Sequence, residues 1–342
     1  MTSTAMSAPA AAIAQALAAL EIRSPTSHTW MGALVGLPEA IVRLADPDGV
    51  RRALVVSACS TLYECFYTPG APRPARPDGG GRLGVDRPLS HELDGANGGD
   101  ACLEPGWRIV GEEDDRRVVQ RGGLRLWVAV DEVEGGARIG DAVSVRLPAG
   151  LPAYSPGFYV ARGDRGFSAA APRVLDRFYL DLRPEGAVPF IREATRRLND
   201  AGLAFAAKVV DDPAGFDRRD SAVLAFERCD RVRGLAGAEE VRSAVAGFVG
   251  GSTPAMTLRM APGLAFAEDP GDGESFGWHR CLLVADAAVT AAQRHITAPG
   301  RRLEVVRERF ARAGISLDAP HLGPPVDGVA DASELLGATV RA

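Results

Sequence analysis

Residues Phe205–Glu227 read FAAKVVDDPAGFDRRDSAVLAFE: an apolar run, a polar stretch with one proline and one glycine, and a second apolar run. The pattern predicts a strand over Leu203–Val210, a turn at Phe216-Asp-Arg-Arg-Asp-Ser, and a new strand starting at Ala222–Phe226. Lys208, near the end of the first run, is the sole lysine; the other 38 of the 39 basic residues are arginine. Arginine stays charged and is a poor proton acceptor, whereas an amine crowded by cations or desolvated gives up its proton. The lysine is therefore either a compositional leftover on a strand edge or a residue used for its chemistry.

Upstream, Pro189–Ala201 predicts a helix and Val174–Leu182 a strand. Further strands are expected at Trp107–Val110, Arg117–Gln120, Leu124–Val130, Val143–Leu147 and from Gly157, with a hairpin turn at Gly122-Gly123. Ala10–Glu21, Pro38–Ala45 and Arg51–Tyr67 predict helices, the last with Leu54, Val55, Cys59, Leu62, Tyr63 and Phe66 on one face. Downstream, Glu239–Val249, Arg280–Thr297 and Leu303–Ala313 also read as helical, and Leu89–Asp100 reads as a loop. Interleaved helices and hairpin-linked strands indicate an α+β fold, its mixed or antiparallel sheet packed with several helices. The expected divisions are an N-terminal helical region 1–68, a Pro/Gly-rich linker 69–88, a catalytic region 89–322 and a loosely held tail 323–342.

A net charge of -5 excludes a global basic field, so nucleic acid and anionic membranes are not expected partners. Five scattered cysteines without metal-ligand spacing, and no apolar run of membrane-spanning length, point to a reducing cytoplasm. There is no dinucleotide fingerprint, phosphate loop, HExxH or kinase signature, so neither metal nor cofactor is expected.

Around Lys208 stand Arg218, Arg219 and Arg228, with Arg259 and Arg280 further along the chain. Arginine forks bind phosphate at two points, and such cations favour the neutral amine. The alternative is a solvated loop in which Arg218 and Arg219 pair with Asp211, Asp212, Asp217 and Asp220. His279, His91 and Glu268 are candidate acids or hydrogen-bonding partners, and Asn97 and the Tyr63 and Tyr67 hydroxyls are further candidates for a site.

The ordered series Phe178-Tyr-Leu-Asp-Leu, Gly202-Leu-Ala-Phe-Ala-Ala-Lys208, Phe216-Asp-Arg-Arg-Asp-Ser-Ala-Val-Leu, Pro254-Ala-Met-Thr, Ala261-Pro-Gly-Leu-Ala-Phe-Ala-Glu-Asp-Pro and Ser275-Phe-Gly with Arg280 resembles the HopA-type effector family over Leu54 to Leu322. Within it, the resemblance is drawn to the lyases of class V lanthipeptide and thioamitide biosynthesis. That resemblance implies elimination of phosphate from phosphorylated Ser or Thr of a ribosomally made precursor peptide, with a separate kinase-like protein and a cyclase as partners. Lys208 would be the base, with Arg218 and Arg228 as phosphate clamp and Arg280, Arg162 and Arg173 as the next candidates. His279 or His91 would assist the leaving group, Asp220 would orient an arginine, and Asn97 and Tyr67 would contact substrate. Ala225 stands where the family pattern often has an aromatic residue. A non-catalytic peptide-binding scaffold and an effector acting on a host target are the competing expectations.

Overall fold

The computed structural model describes residues 6–69, 87–155, 157–168, 174–271 and 273–325. In chain order the elements are α1 (Ala8–Ala19), β1 (Leu20–Ser24), β2 (Ser27–Trp30), β3 (Ala33–Gly36), α2 (Glu39–Leu44), α3 (Pro47–Leu62), α4 (Arg87–Ala96), β4 (Cys102–Glu113), β5 (Arg116–Arg121), β6 (Leu124–Ala129), β7 (Val133–Glu134), β8 (Ala142–Leu147), β9 (Gly150–Ser155), β10 (Phe158–Arg162) and β11 (Leu175–Leu180). They continue with α5 (Ala187–Asp200), β12 (Phe205–Val210), β13 (Ala222–Glu227), α6 (Arg231–Ala244), β14 (Leu258–Ala261), β15 (Leu264–Glu268), α7 (Phe276–Gln293) and α8 (Pro299–Arg312). The fold is α+β with antiparallel sheets.

Two compact units divide the chain, and the division is not linear: residues 1–73, 252–261 and 265–342 form one, residues 74–251 and 262–264 the other. The expected linker 69–88 lies mostly in undescribed residues, and its last two belong to α4. Of the expected tail, residues 326–342 lie outside the described residues.

In the first unit α1, α3, α7 and α8 pack around Ile13, Leu17, Leu54, Cys59, Leu62, Val284, Val306 and Phe310. Asp286 of α7 joins the helices through Arg51 and Arg309, each at 2.6 Å. The helix starts are written locally: Asp46 accepts from the Gly49 amide at 2.6 Å, and Ser275 accepts from the Trp278 amide at 3.3 Å. Beside the helices lies the antiparallel sheet β1-β2-β3, which sequence reading missed. Its strands are too short to show a period, and its turn at Met31-Gly32 uses positive φ at both residues.

The second unit holds two sheets. β6-β5-β4-β8-β7 closes on Trp107, Ile109, Val119, Val128, Val143 and Val145. The other places β11-β13-β12-β10-β9 side by side, antiparallel throughout. Here α4 replaces the loop expected at Leu89–Asp100 as far as Ala96, because Leu93 is fully buried and anchors a helical face, while residues 97–100 have no regular structure. α6 starts at Arg231, earlier than expected. Gly234 and Gly237 hide it in the sequence, yet a Cβ there would come within 2.9 Å of Phe226 and 2.6 Å of Leu198. The glycines are contact residues, not breakers.

Candidate functional site

Alternation along β12 gives the sheet two unlike faces. Phe205, Ala207 and Val209 point to the side covered by α5 and α6, with Phe178, Leu180, Leu224 and Phe226, and all are buried. Ala206, Lys208 and Val210 point the other way. In register, Lys208 lies between Val160 of β10 and Val223 of β13, and Ala206 between Arg162 and Ala225. Beyond β13 the same rows end in Tyr179 and Arg177 of β11. A lysine, two arginines and a tyrosine therefore share one face; Lys208, Arg177 and the alanines Ala206 and Ala225 are half-buried there, and Arg162 and Tyr179 are buried. Ala225 lies on this face, so the position flagged in the sequence is part of it.

The Lys208 Nζ sits 4.3 Å from the centre of the Phe158 ring, and the Arg218 guanidinium sits 4.8 Å from the same ring. Arg218 is oriented by Asp220, which accepts from its Nε at 2.5 Å and its second terminal nitrogen at 3.0 Å. Asp220 is 5% exposed and the Arg218 side chain 20%, so the fork is held at the edge of solvent. Local chemistry builds the turn that carries them. Asp212 accepts from the Ala214 amide at 2.9 Å, and the buried Ser221 hydroxyl takes the Leu182 amide at 2.7 Å, tying the turn to the end of β11.

Other candidates fall elsewhere. Arg162 shares the Lys208 face, but Glu104 takes its guanidinium at 2.7 Å, with Arg121 at 3.0 Å on the other oxygen. Burial alone would raise the Glu104 carboxyl; the hydrogen bonds and charge of Arg162 and Arg121 outweigh it and hold it below the usual range. Arg228, expected as half of the phosphate clamp, is buried and donates to Asp176 at 3.1 Å, beside Arg231, which binds the same carboxylate at 2.6 and 3.0 Å. Asp176 lies on the helix-covered face, so the structure places Arg228 in an internal ion pair. Asn97 donates to the Tyr159 hydroxyl at 3.1 Å and accepts from the Gly99 amide at 3.0 Å, again on the covered face. His91 is exposed on α4.

Tyr67, His279 and Arg280 belong to the other unit. Tyr67 is 1% exposed, stacks on Tyr63 at 5.3 Å and lies against Gly277. Arg280 is fully buried, donating to the carbonyls of Pro320 at 2.7 Å and Leu322 at 3.0 Å. It fastens that segment. Its guanidinium also meets His279 Nδ1 at 2.7 Å. A guanidinium only donates, so Nδ1 accepts and the His279 proton resides on Nε2. Arg173 lies outside the described residues.

Sequence reasoning missed Arg177 and Tyr179. Their signal was the alternation of Val174–Leu182 itself, legible only once a face had been assigned. Glu227, Cys229 and Asp230 bring ligand atoms within 4.8 Å of one another. Burial and the neighbouring carboxylates raise the Cys229 thiol, while Glu227 already accepts from the Ser168 amide at 2.6 Å and Asp230 from Arg233 at 3.2 Å.

Residues 150–322 match the model of the HopA1 effector protein family. No curated protein matches the chain. Among solved structures, the effector protein from Pseudomonas syringae pv. tomato strain DC3000 is 15% identical over 78% of this chain and 90% of that one, with a TM-score of 0.46. The effector protein from Pseudomonas syringae pv. syringae strain 61 is 14% identical over 93% of this chain and 98% of that one, with a TM-score of 0.47. The matching family is one of effector proteins. This corrects the narrower resemblance to lanthipeptide and thioamitide lyases, and the precursor-peptide substrate that came with it.

Proposed function

The chain belongs to the HopA1 effector protein family, and on that premise we propose that it is a carbon–oxygen lyase acting on phosphorylated threonine or serine of a polypeptide. The observation that carries the reading is the convergence of Lys208 and Arg218 on the Phe158 ring, with Arg218 steered by Asp220. β-Elimination needs a base for the proton on Cα and a cation for the departing phosphate. The Lys208 amine takes the proton, the freed electron pair forms the Cα–Cβ double bond, and the Cβ–O bond breaks. The phosphate leaves toward Arg218, whose planar fork matches its oxygens. A phosphomonoester has a second pKa of about 6, so part of it carries its own proton at neutral pH and the arginine offsets the remaining charge. A positioned base is worth about 10²–10⁴ in rate.

A separate kinase supplies the phosphorylated substrate. The five cysteines are all free, which supports a reducing, cytoplasmic setting for the reaction.

The test uses a phosphothreonine polypeptide, the purified chain and mass spectrometry. Elimination removes phosphoric acid and leaves an alkene, whereas hydrolysis leaves the hydroxyl. Lys208→Ala and Lys208→Arg are both expected to fold and to lose elimination, because arginine holds its proton. Borohydride trapping distinguishes a Schiff base at Lys208 from proton abstraction. Turnover by Lys208→Arg overturns the assignment, and phosphopeptide binding without turnover by the unaltered chain makes the protein a binding module instead.

A further inference from the structure

Between residues 31 and 48 not one residue is buried. The run contains β3 and α2, and α2 is six residues long with nothing buried. Isolated helices shorter than about 12–15 residues are marginal in water, and α2 has no packed face to compensate. β3 is the outer strand of its sheet. Its residues Ala33-Leu34-Val35-Gly36 include none of the charges, prolines or bulges that guard an edge against pairing. The same run carries large apolar side chains in solvent: Met31, Leu34 and Leu44 are 81%, 70% and 78% exposed, and Ile41 and Val42 are 37% and 41% exposed. Large apolar side chains left in solvent on consecutive elements mark an interaction site.

We propose that this face is where a second copy of the chain docks, β3 pairing antiparallel with its own two-fold mate and α2 lying against α2. Charge selects this occupant. From residue 31 to residue 44 the ionisable side chains are Glu39 and Arg43 alone, so the patch is neutral and does not repel a copy of itself. Among the described residues neither forms an ion pair within the chain. A two-fold interface is self-complementary, so Glu39 of each copy meets Arg43 of the other, twice. Joining the edges turns two sheets of three strands into one sheet, which satisfies the backbone groups that β3 leaves open. The 18 residues of the run approach the roughly 20–30 residues a side of a stable interface.

Sedimentation of the full chain over a concentration series tests this. The expected species has twice the 35.9 kDa of one chain. Leu34→Glu and Leu44→Glu, at sites too exposed to threaten folding, are expected to give one-chain particles. Glu39→Arg and Arg43→Glu should each weaken association about tenfold by setting like charges together, and the double exchange should restore it. A single-chain particle at every concentration overturns the proposal and assigns the face to a different protein. A dimer that tolerates Leu44→Glu, or charge variants that fail to rescue each other, also overturns it. Lyase activity of the same samples is a separate readout, since no residue of this face is among those of the Lys208 site.

Discussion

Asp176→Asn is expected to destabilise the second unit strongly while leaving the Lys208 face intact. Asp176 is 0% exposed, and Arg228 and Arg231 are nearly as buried, at 6% and 4%. The carboxylate holds both arginines through contacts at 3.1, 2.6 and 3.0 Å. Hydrogen bonds to charged groups contribute about 1.5–3 kcal/mol each. Their replacement by weaker bonds to an amide removes the charge that Asp176 sets against both cations, and breaking one side of a buried pair costs about 3–5 kcal/mol. The loss should therefore fall in that range, read as a lowered urea midpoint with unchanged slope by circular dichroism. Arg228→Ala should cost a similar amount, because Asp176 then keeps Arg231 alone. Replacing all three residues with apolar side chains of similar volume should recover most of the loss. If Arg228→Ala stays within about 0.5 kcal/mol of the parent yet loses affinity for phosphorylated peptide, the internal ion-pair reading is wrong and Arg228 is a phosphate ligand.

His321 is held near about 4 instead of 6.5, first by burial and then by the Arg280 charge, so the unfolded chain takes up its proton first. Stability should fall as pH drops from 6.5 to about 4, by about 3 kcal/mol in all, and His321→Gln should remove that slope in unfolding titrations. The Glu104 carboxyl is depressed, so its contribution is present above 4.5 and lost as pH falls through the folded value. Glu104→Gln should cost about 3 kcal/mol at neutral pH and nothing relative to the parent once Glu104 is protonated. Gly277→Ala drives a methyl into the Tyr67 ring and should cost about 1–3 kcal/mol by thermal unfolding. Arg218→Lys keeps the charge but loses the fork, so its elimination rate should lie between those of the parent and Arg218→Ala.

The legible parts of the fold were those in which a local pattern and the tertiary answer coincide. α3 could be read because Leu54, Val55, Cys59 and Leu62 recur at helical spacing, and that same face is buried. β12 and β13 could be read because short apolar runs flank a turn rich in Asp and Arg. α4 and the start of α6 were illegible for opposite reasons. In α4 one buried leucine outweighs a polar, glycine-bearing sequence; in α6 two glycines exist to let Phe226 and Leu198 approach.

The sequence alone singled out Lys208, because one lysine among 38 arginines is a compositional fact that needs no coordinates. It also placed Arg218 and Asp220 within reach of each other, being two residues apart. It could not sort the remaining arginines, since a guanidinium carries the same charge whether it faces a ligand or a buried carboxylate. Strand pairing made that decision. Register set Arg162 and Arg177 on the face of Lys208, while Asp176, one residue before Arg177, points to the opposite face and captures Arg228 there. A period of two sends neighbouring side chains to opposite sides of a sheet, and which side is covered depends on helices that lie far away in sequence.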